Sequence, residues 1–351
     1  MSIEKPNLYD VSWKVSEEEY RKDNALSYST LARFAREGFT NLDKLFDKVE
    51  SSSLTFGSAV DALITGGQEE FDTNFIVAEF PPVSESIIKM VVALFKKYNE
   101  EYRSIELIPT NDIIALSEEL KYQLNWKPET RVKVIREQGN EYYSIMYAAQ
   151  GKKILDNNTY DQVLAAVYAL KSSESTSWYF EENSPFNEDI RRYYQLKFRA
   201  TFEGIDYRCM ADLIVVNHAD KTIQPIDLKT SSHAEWDFYK SFVQWGYQIQ
   251  ARLYWRIIKE VVEKSELFED YIVLPYKFIV VNKNTLTPLV WEFEDTSTYG
   301  NIVYGNHEQT EFVDPFTLGK ELHEYLTHQH RVPLKININK SNSITEWLMN
   351  G

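Results

Sequence analysis

The sequence predicts an α+β fold with an α/β core: a mixed sheet flanked by helices, behind a helical N-terminal half. Three observations carry this. The apolar residues follow a helical period through most of residues 1–185, then switch to strand-like alternation near residue 190. Two strand-like segments, 191–202 and 206–216, are joined by the turn signal Glu203-Gly204, and a third follows at 223–230. A long segment with apolar and amide faces, EWDFYKSFVQWGYQIQARLYWRIIKEVVEK, comes next and reads as one helix.

Taken in order, residues 1–24 are polar and read as irregular. LSYSTLARFAREGF then offers Ser27 or Ser29 as an N-cap, Leu31 and Phe34 at helical spacing, and Gly38 as a stop. LTFGSAVDALITGG is a second helix closed by two glycines, and residues 84–125 continue as helix around the apolar stripe MVVALF. In TYDQVLAAVYALKSS, Val163, Ala166 and Leu170 share one face. Beyond the long helix, YIVLPYKFIVVNK and TPLVWEFE read as strands that complete the sheet, and ELHEYLTHQH as a last helix. One domain over 1–351 is expected: a mainly helical part (1–185), a sheet with its helix (190–295) and a C-terminal extension (296–351).

Composition excludes several classes. Eight Trp, 23 Tyr and 19 Phe fit an ordered core, not a disordered chain. A single cysteine, Cys209, rules out a disulfide framework, a cysteine-rich zinc site and a four-cysteine cluster, so a reducing cytoplasm is the expected compartment. Neither an 18-residue apolar run nor a signal pattern occurs, so no membrane partner is expected. No repeat and no glycine-rich phosphate loop is present. The net charge of −15 repels nucleic acid at long range. A nucleic-acid enzyme with that balance must gather its cations locally. The available clusters are Arg33 with Arg36, Lys152 with Lys153, Arg191 with Arg192, and Lys197 with Arg199 and Arg208. Each also fits an ordinary solvated face.

The chemistry concentrates in PIDLKT. On a strand, Asp227 and Lys229 point to the same face, with Leu228 turned to the core. Asp212 lies inside the apolar MADLIVV, where a carboxylate must be compensated. A hairpin through NHADKT would bring it back beside the pair. Two carboxylates and an ammonium on adjacent strands suit a hard divalent cation and a polarised water, and so metal-dependent phosphodiester cleavage. A purely structural ion pair between Asp212 and Lys229 fits the same residues. Among the histidines, His323, His328 and His330 lack the partners of a zinc site, and His233 sits in a loop after the strand.

Four short motifs, FGSAVD at 56–61, ADLI at 211–214, IDLKT at 226–230 and QARLY at 250–254, together resemble the PD-(D/E)XK nuclease superfamily, in that family's order. The chain is most similar to the RecB-like and exonuclease VIII (RecE-like) phage-type branch. LSYSTLARF and GKKILDNNTYDQVLAAVYALKSS are similar to the N-terminal half of such proteins, so the resemblance spans roughly residues 26–256. It implies a restriction-endonuclease-like fold and a DNA exonuclease with Mg2+ or Mn2+ held by Asp212, Asp227 and the carbonyl of Leu228. By the same resemblance Lys229 would position or deprotonate the attacking water, while Gln250 and Tyr254 would face the site. A ring-shaped homo-oligomer, a single-strand annealing protein as partner and a host cytoplasm are further implications. The chain departs from the pattern at Asp61, where the family often has histidine. Asp61 is either a harder oxygen ligand to the same ion or an exposed helix residue. An acid often found in the strand before Asp212 is also missing, with Gln195 or Lys197 near that place. A catalytically silent binding protein and an endonuclease of the same superfamily are the alternatives.

Overall fold

A computed structural model describes residues 5–39, 42, 45–46, 51–98, 101–293, 302–304, 308–310 and 314–327. The first helices are α1 (Glu17–Lys22) and α2 (Tyr28–Glu37). They are followed by α3 (Ser52–Thr65), α4 (Gly67–Asn74), β1 (Phe75–Val77), α5 (Glu85–Tyr98) and α6 (Thr110–Glu119). Next come α7 (Pro128–Ala149), β2 (Lys153–Leu155) and α8 (Asn157–Ser172). The strands β3 (Ile190–Phe202), β4 (Ile205–Asn217) and β5 (Thr222–Thr230) lead to α9 (Phe238–Trp245) and α10 (Tyr247–Glu263). The chain then forms β6 (Ile272–Val273), β7 (Tyr276–Val281), β8 (Leu289–Phe293), β9 (Ile302–Tyr304), β10 (Glu308–Thr310) and α11 (Pro315–Thr327).

The chain divides into two units, residues 1–51 with 168–351, and residues 52–167. Unlike the division expected at 185–190 and 296, the boundaries fall before α3 and inside α8. The 52–167 unit is helical apart from the short parallel pair β1–β2. Its core gathers Ile87, Met90, Val91 and Leu94 of α5 around Val132, Ile135 and Tyr143 of α7. Gly139 of α7 lets α5 approach closely, because a methyl group there would run into Val91.

The larger unit carries the six-stranded mixed sheet, ordered β3-β4-β5-β7-β8, with β6 beside β5. The mixed sheet flanked by helices is therefore as the sequence implied. β3, β4 and β5 form an antiparallel meander, β5 runs parallel to β7, and β8 returns antiparallel. A parallel neighbour requires a crossover, and α9 with α10 supplies it. α10 lies on β3, β4 and β7, burying Ile249, Leu253 and Ile257 at spacings of four. Each such side chain contributes on the order of 1.5–3 kcal/mol.

Local sequence explains the boundaries. Ser27 caps α2 by accepting the Thr30 N–H, and Gly38 ends it at φ 58°. Two expectations need correction. Residues 1–24 are not irregular throughout: Ser16 and Glu19 form a reciprocal capping box that starts α1. The single long helix after β5 is instead two, broken at Gly246, whose backbone is left-handed at φ 66° and ψ 41°.

Candidate active site

The three residues singled out by sequence come together where the sheet departs from regular pairing. β4 and β5 pair from Asn217↔Thr222 up to Leu213↔Ile226, and the ladder stops there. One step further, Asp212 would face Asp227. Instead β5 leaves β4 and runs on along β7, from Ile226↔Lys277 to Thr230↔Val281. The opening frees the Leu228 N–H, which donates to Asp212 Oδ2 at 2.9 Å. The other neighbour of Asp212 is equally irregular. β3 and β4 pair at Tyr194↔Leu213 and Leu196↔Ala211, but between them Gln195 adopts φ 52°. A left-handed glutamine inside a strand is uncommon and costs conformational energy. Both ladders thus give way at the row that holds Asp212.

Asp227 is 2% exposed. Its Oδ1 accepts the Gln250 side-chain amide at 2.5 Å, and its Oδ2 meets Lys229 Nζ at 2.5 Å in an ion pair. Among the described residues, that ammonium is the partner of the second oxygen. A buried carboxylate is tolerated only when its charge is answered, and here an amide and an ammonium answer it. Burial by itself would make Lys229 shed its proton more readily, but Asp227 above all, then Tyr247, Asp212 and Tyr28, reverses this. The net effect holds the ammonium well above the ordinary lysine range. The Lys229 side chain keeps 17% exposure, so the site opens to solvent on its side. Leu228 does not turn to the core as expected. It is half-buried while Asp227 is buried, because helices cover the face to which the pair points.

Gln250 and Tyr254 lie on α10 one turn apart, both buried. Gln250 reaches Asp227. The Tyr254 ring packs edge-on against Tyr276 at 6.3 Å, among the phenols behind the carboxylates. Burial first, then Tyr20, Cys209, Asp227 and Asp212, pushes the Tyr254 hydroxyl far above its ordinary range, so it stays protonated. Asp61 belongs to the other unit, on α3, half-buried, its carbonyl accepting from Thr65 Oγ1 at 2.9 Å. Among the described residues, no three His, Cys, Asp or Glu side chains converge as a metal-binding group. His328 and His330 lie outside the described residues.

Sequence reasoning missed Tyr247 and Tyr28. The Lys229 ammonium sits 4.6 Å from the centre of the Tyr247 ring. Tyr28, the first residue of α2, tilts against that ring at 6.2 Å. The signal available was the pair of aromatics flanking motifs already noted, LSYSTLARF and GYQIQ. Glu235 was also missed. It is fully buried, accepts from the backbone N–H groups of Asn282 and Thr287 and from the hydroxyls of Thr285 and Thr287, and so ties the segment after β5 to the end of β7.

Residues of the basic clusters have partners within the fold, some of them at the surface. Arg191 donates to the carbonyls of Ser184 and Asn187, and Arg192 to Trp178 O and Glu181. Lys197 donates to Val15 O, Arg199 pairs with Asp23 and Asp206, and Arg208 donates to Tyr20 O while covering that ring. In the other unit, Lys152 donates to Asp72 O and Lys153 to Ser58. Among the described residues, no helix is long and apolar enough to cross a membrane.

No protein-family model matches the chain, and no curated protein matches it. Among solved structures, it is similar to a crystal structure from Eubacterium rectale provisionally described as that of an exonuclease. The TM-score is 0.40 and the identity 14%, covering 81% of this chain and 79% of the other. A likeness of that degree carries no argument about what this chain acts on.

Proposed function

We propose that the chain is a divalent-metal-dependent deoxyribonuclease of the PD-(D/E)XK type, hydrolysing phosphodiester bonds from double-stranded DNA ends. The observation that carries this reading is the row at which both ladders open, with Asp212 on one strand and the Asp227–Lys229 pair on the next. A structural ion pair would not need distorted strands on both sides of one acid.

The residues fit a hard cation. Asp212 and Asp227 supply anionic oxygens, of which Asp227 Oδ2 is shared with Lys229. Magnesium takes one or two carboxylates and completes its shell with waters and phosphate oxygens. Asp212, Asp227 and the Leu228 carbonyl would hold it. The ion would supply charge stabilisation at phosphorus and lower the pKa of bound water.

The chain's own groups divide the remaining work. Gln250 fixes Asp227 through its amide, leaving Oδ2 turned to Lys229. Asp227 favours the protonated form of Lys229, which suits it to orient water and offset the growing charge on the phosphate. Tyr254 acts behind Gln250, as packing for the acid pair.

End-labelled linear duplex and closed circular DNA, each incubated with Mg2+, test the proposal. Loss of label from the linear form with the circle intact is expected. Cleavage of the circle would make the enzyme an endonuclease, and inertness of both would leave a binding protein. Asp227→Asn and Lys229→Ala should each lower the rate by at least roughly a hundredfold without unfolding the protein. Near-parental turnover in either variant would remove the assignment.

A further inference from the structure

The LSYSTLARF helix has no role in the chemistry as described so far, yet its first residue reaches the acid–lysine pair. We infer that Tyr247 and Tyr28 form an aromatic seat that fixes the Lys229 ammonium against Asp227, making both of them positioning residues. The inference rests on the nuclease reading for its consequence in catalysis, but the seat itself is a matter of geometry.

Lys229 Nζ pairs with Asp227 Oδ2 at 2.5 Å, and Asp212 also bears on its charge. The flexible four-carbon side chain that carries it has many rotamers to choose from. The Tyr247 ring limits this, because the ammonium lies 4.6 Å from its centre, within the range of attraction to the ring's negative face. The ring is itself held. It stacks on Phe238 at 5.8 Å and 20°, leans on Phe278 of β7 at 5.9 Å, and meets Tyr28 at 6.2 Å.

Tyr28 adds a second constraint from outside the sheet. Its hydroxyl donates to the carbonyl of Trp245 at 2.9 Å, the last residue of α9. Gly246 follows in a left-handed conformation and Tyr247 opens α10. Tyr28 therefore fastens the corner that delivers Tyr247 beneath Lys229. The break in the helix and the aromatic start of α2 are two parts of one arrangement.

The test separates a ring face from a hydroxyl and from mere packing. Tyr247→Leu removes the face, whereas Tyr247→Phe keeps it. Single-turnover cleavage at saturating duplex with Mg2+ should fall roughly tenfold in Y247L and stay near the parent in Y247F. DNA affinity measured in Ca2+ should move less than about twofold in both. In crystals of Y247L grown without a divalent cation, Lys229 Nζ should have left Asp227 Oδ2. Thermal melting checks that each variant is folded. If Y247L does not fold, Tyr28→Phe, which removes only the hydroxyl on Trp245, should show a smaller loss in the same direction. Equal rates in Y247L and the parent, or an unmoved Lys229 in the crystals, would overturn the seat. Full activity in Asp227→Asn would instead overturn the nuclease reading, and the position of Lys229 in the Y247L crystals would still decide the seat.

Discussion

Asp212 shows how one side chain can serve both backbone and chemistry. Its carboxylate takes the Leu228 N–H that the opened ladder leaves without a strand partner. Asp212→Ala should therefore lose stability as well as activity, by about 1–3 kcal/mol for an unmet buried donor. Asp212→Asn keeps an acceptor and should lose activity with most of the stability retained, as urea unfolding of the two variants would show. Tyr276 presents the opposite case. Its hydroxyl is buried behind Asp227 and has no hydrogen-bond partner among the described residues. Tyr276→Phe is expected to raise stability by about 1 kcal/mol, and a fall in the urea midpoint would reveal a partner for that oxygen. The identities of Asp212, Asp227 and Lys229 were legible in the sequence because D-x-K on a strand and an acid in an apolar run are both costly without a purpose. The hydrogen bond to Leu228 was not, since it depends on where a ladder stops.

At the level of elements, the joint at Gly246 carries more than its length suggests. A residue with a Cβ at φ 66° is strained, so Gly246→Ala should cost about 1 kcal/mol. Its nearest neighbour would be in ordinary contact, so the cost is conformational, not steric. Because the joint aims Tyr247, activity should fall further than the melting temperature implies. Gly319 on α11 is different. A methyl there would strike the buried ring of Tyr207, which packs against Phe202 and Phe316. Gly319→Ala is expected to destabilise by about 1–3 kcal/mol, read as a lowered urea midpoint. The three strands of the meander were legible almost to the residue, since alternation with a Glu-Gly turn leaves little choice, whereas YIVLPYKFIVVNK, read as one strand, forms both β6 and β7. The break within the helix after β5 was not, because both halves share the same helical period and only a packed corner requires the left-handed glycine. α1 went unseen because its capping box starts only 6 residues of polar helix.

For the whole molecule, the charge of −15 and the commitment of its arginines shape any contact with DNA. Arg191, Arg192 and Arg208 are bonded within the fold and Arg199 is paired with acids at the surface, so these clusters are poorly placed to displace counterions. Binding of a fluorescent duplex should then require a divalent cation, and its log–log dependence on monovalent salt should be no steeper than about −3. A slope near −6 would mean that these arginines are released on binding. The amino-acid sequence by itself determined the α+β class, the meander and the order of the strands along the chain, and it singled out the acids and lysine proposed for the site. These follow from periodicity and from the expense of charge in apolar surroundings, both local properties. Only the tertiary structure decided which face of β5 is buried, which partners the basic clusters take, and that Tyr28 meets the corner at Trp245, 217 positions away. Such facts depend on what packs against a residue from a distant part of the chain, and no local pattern records it.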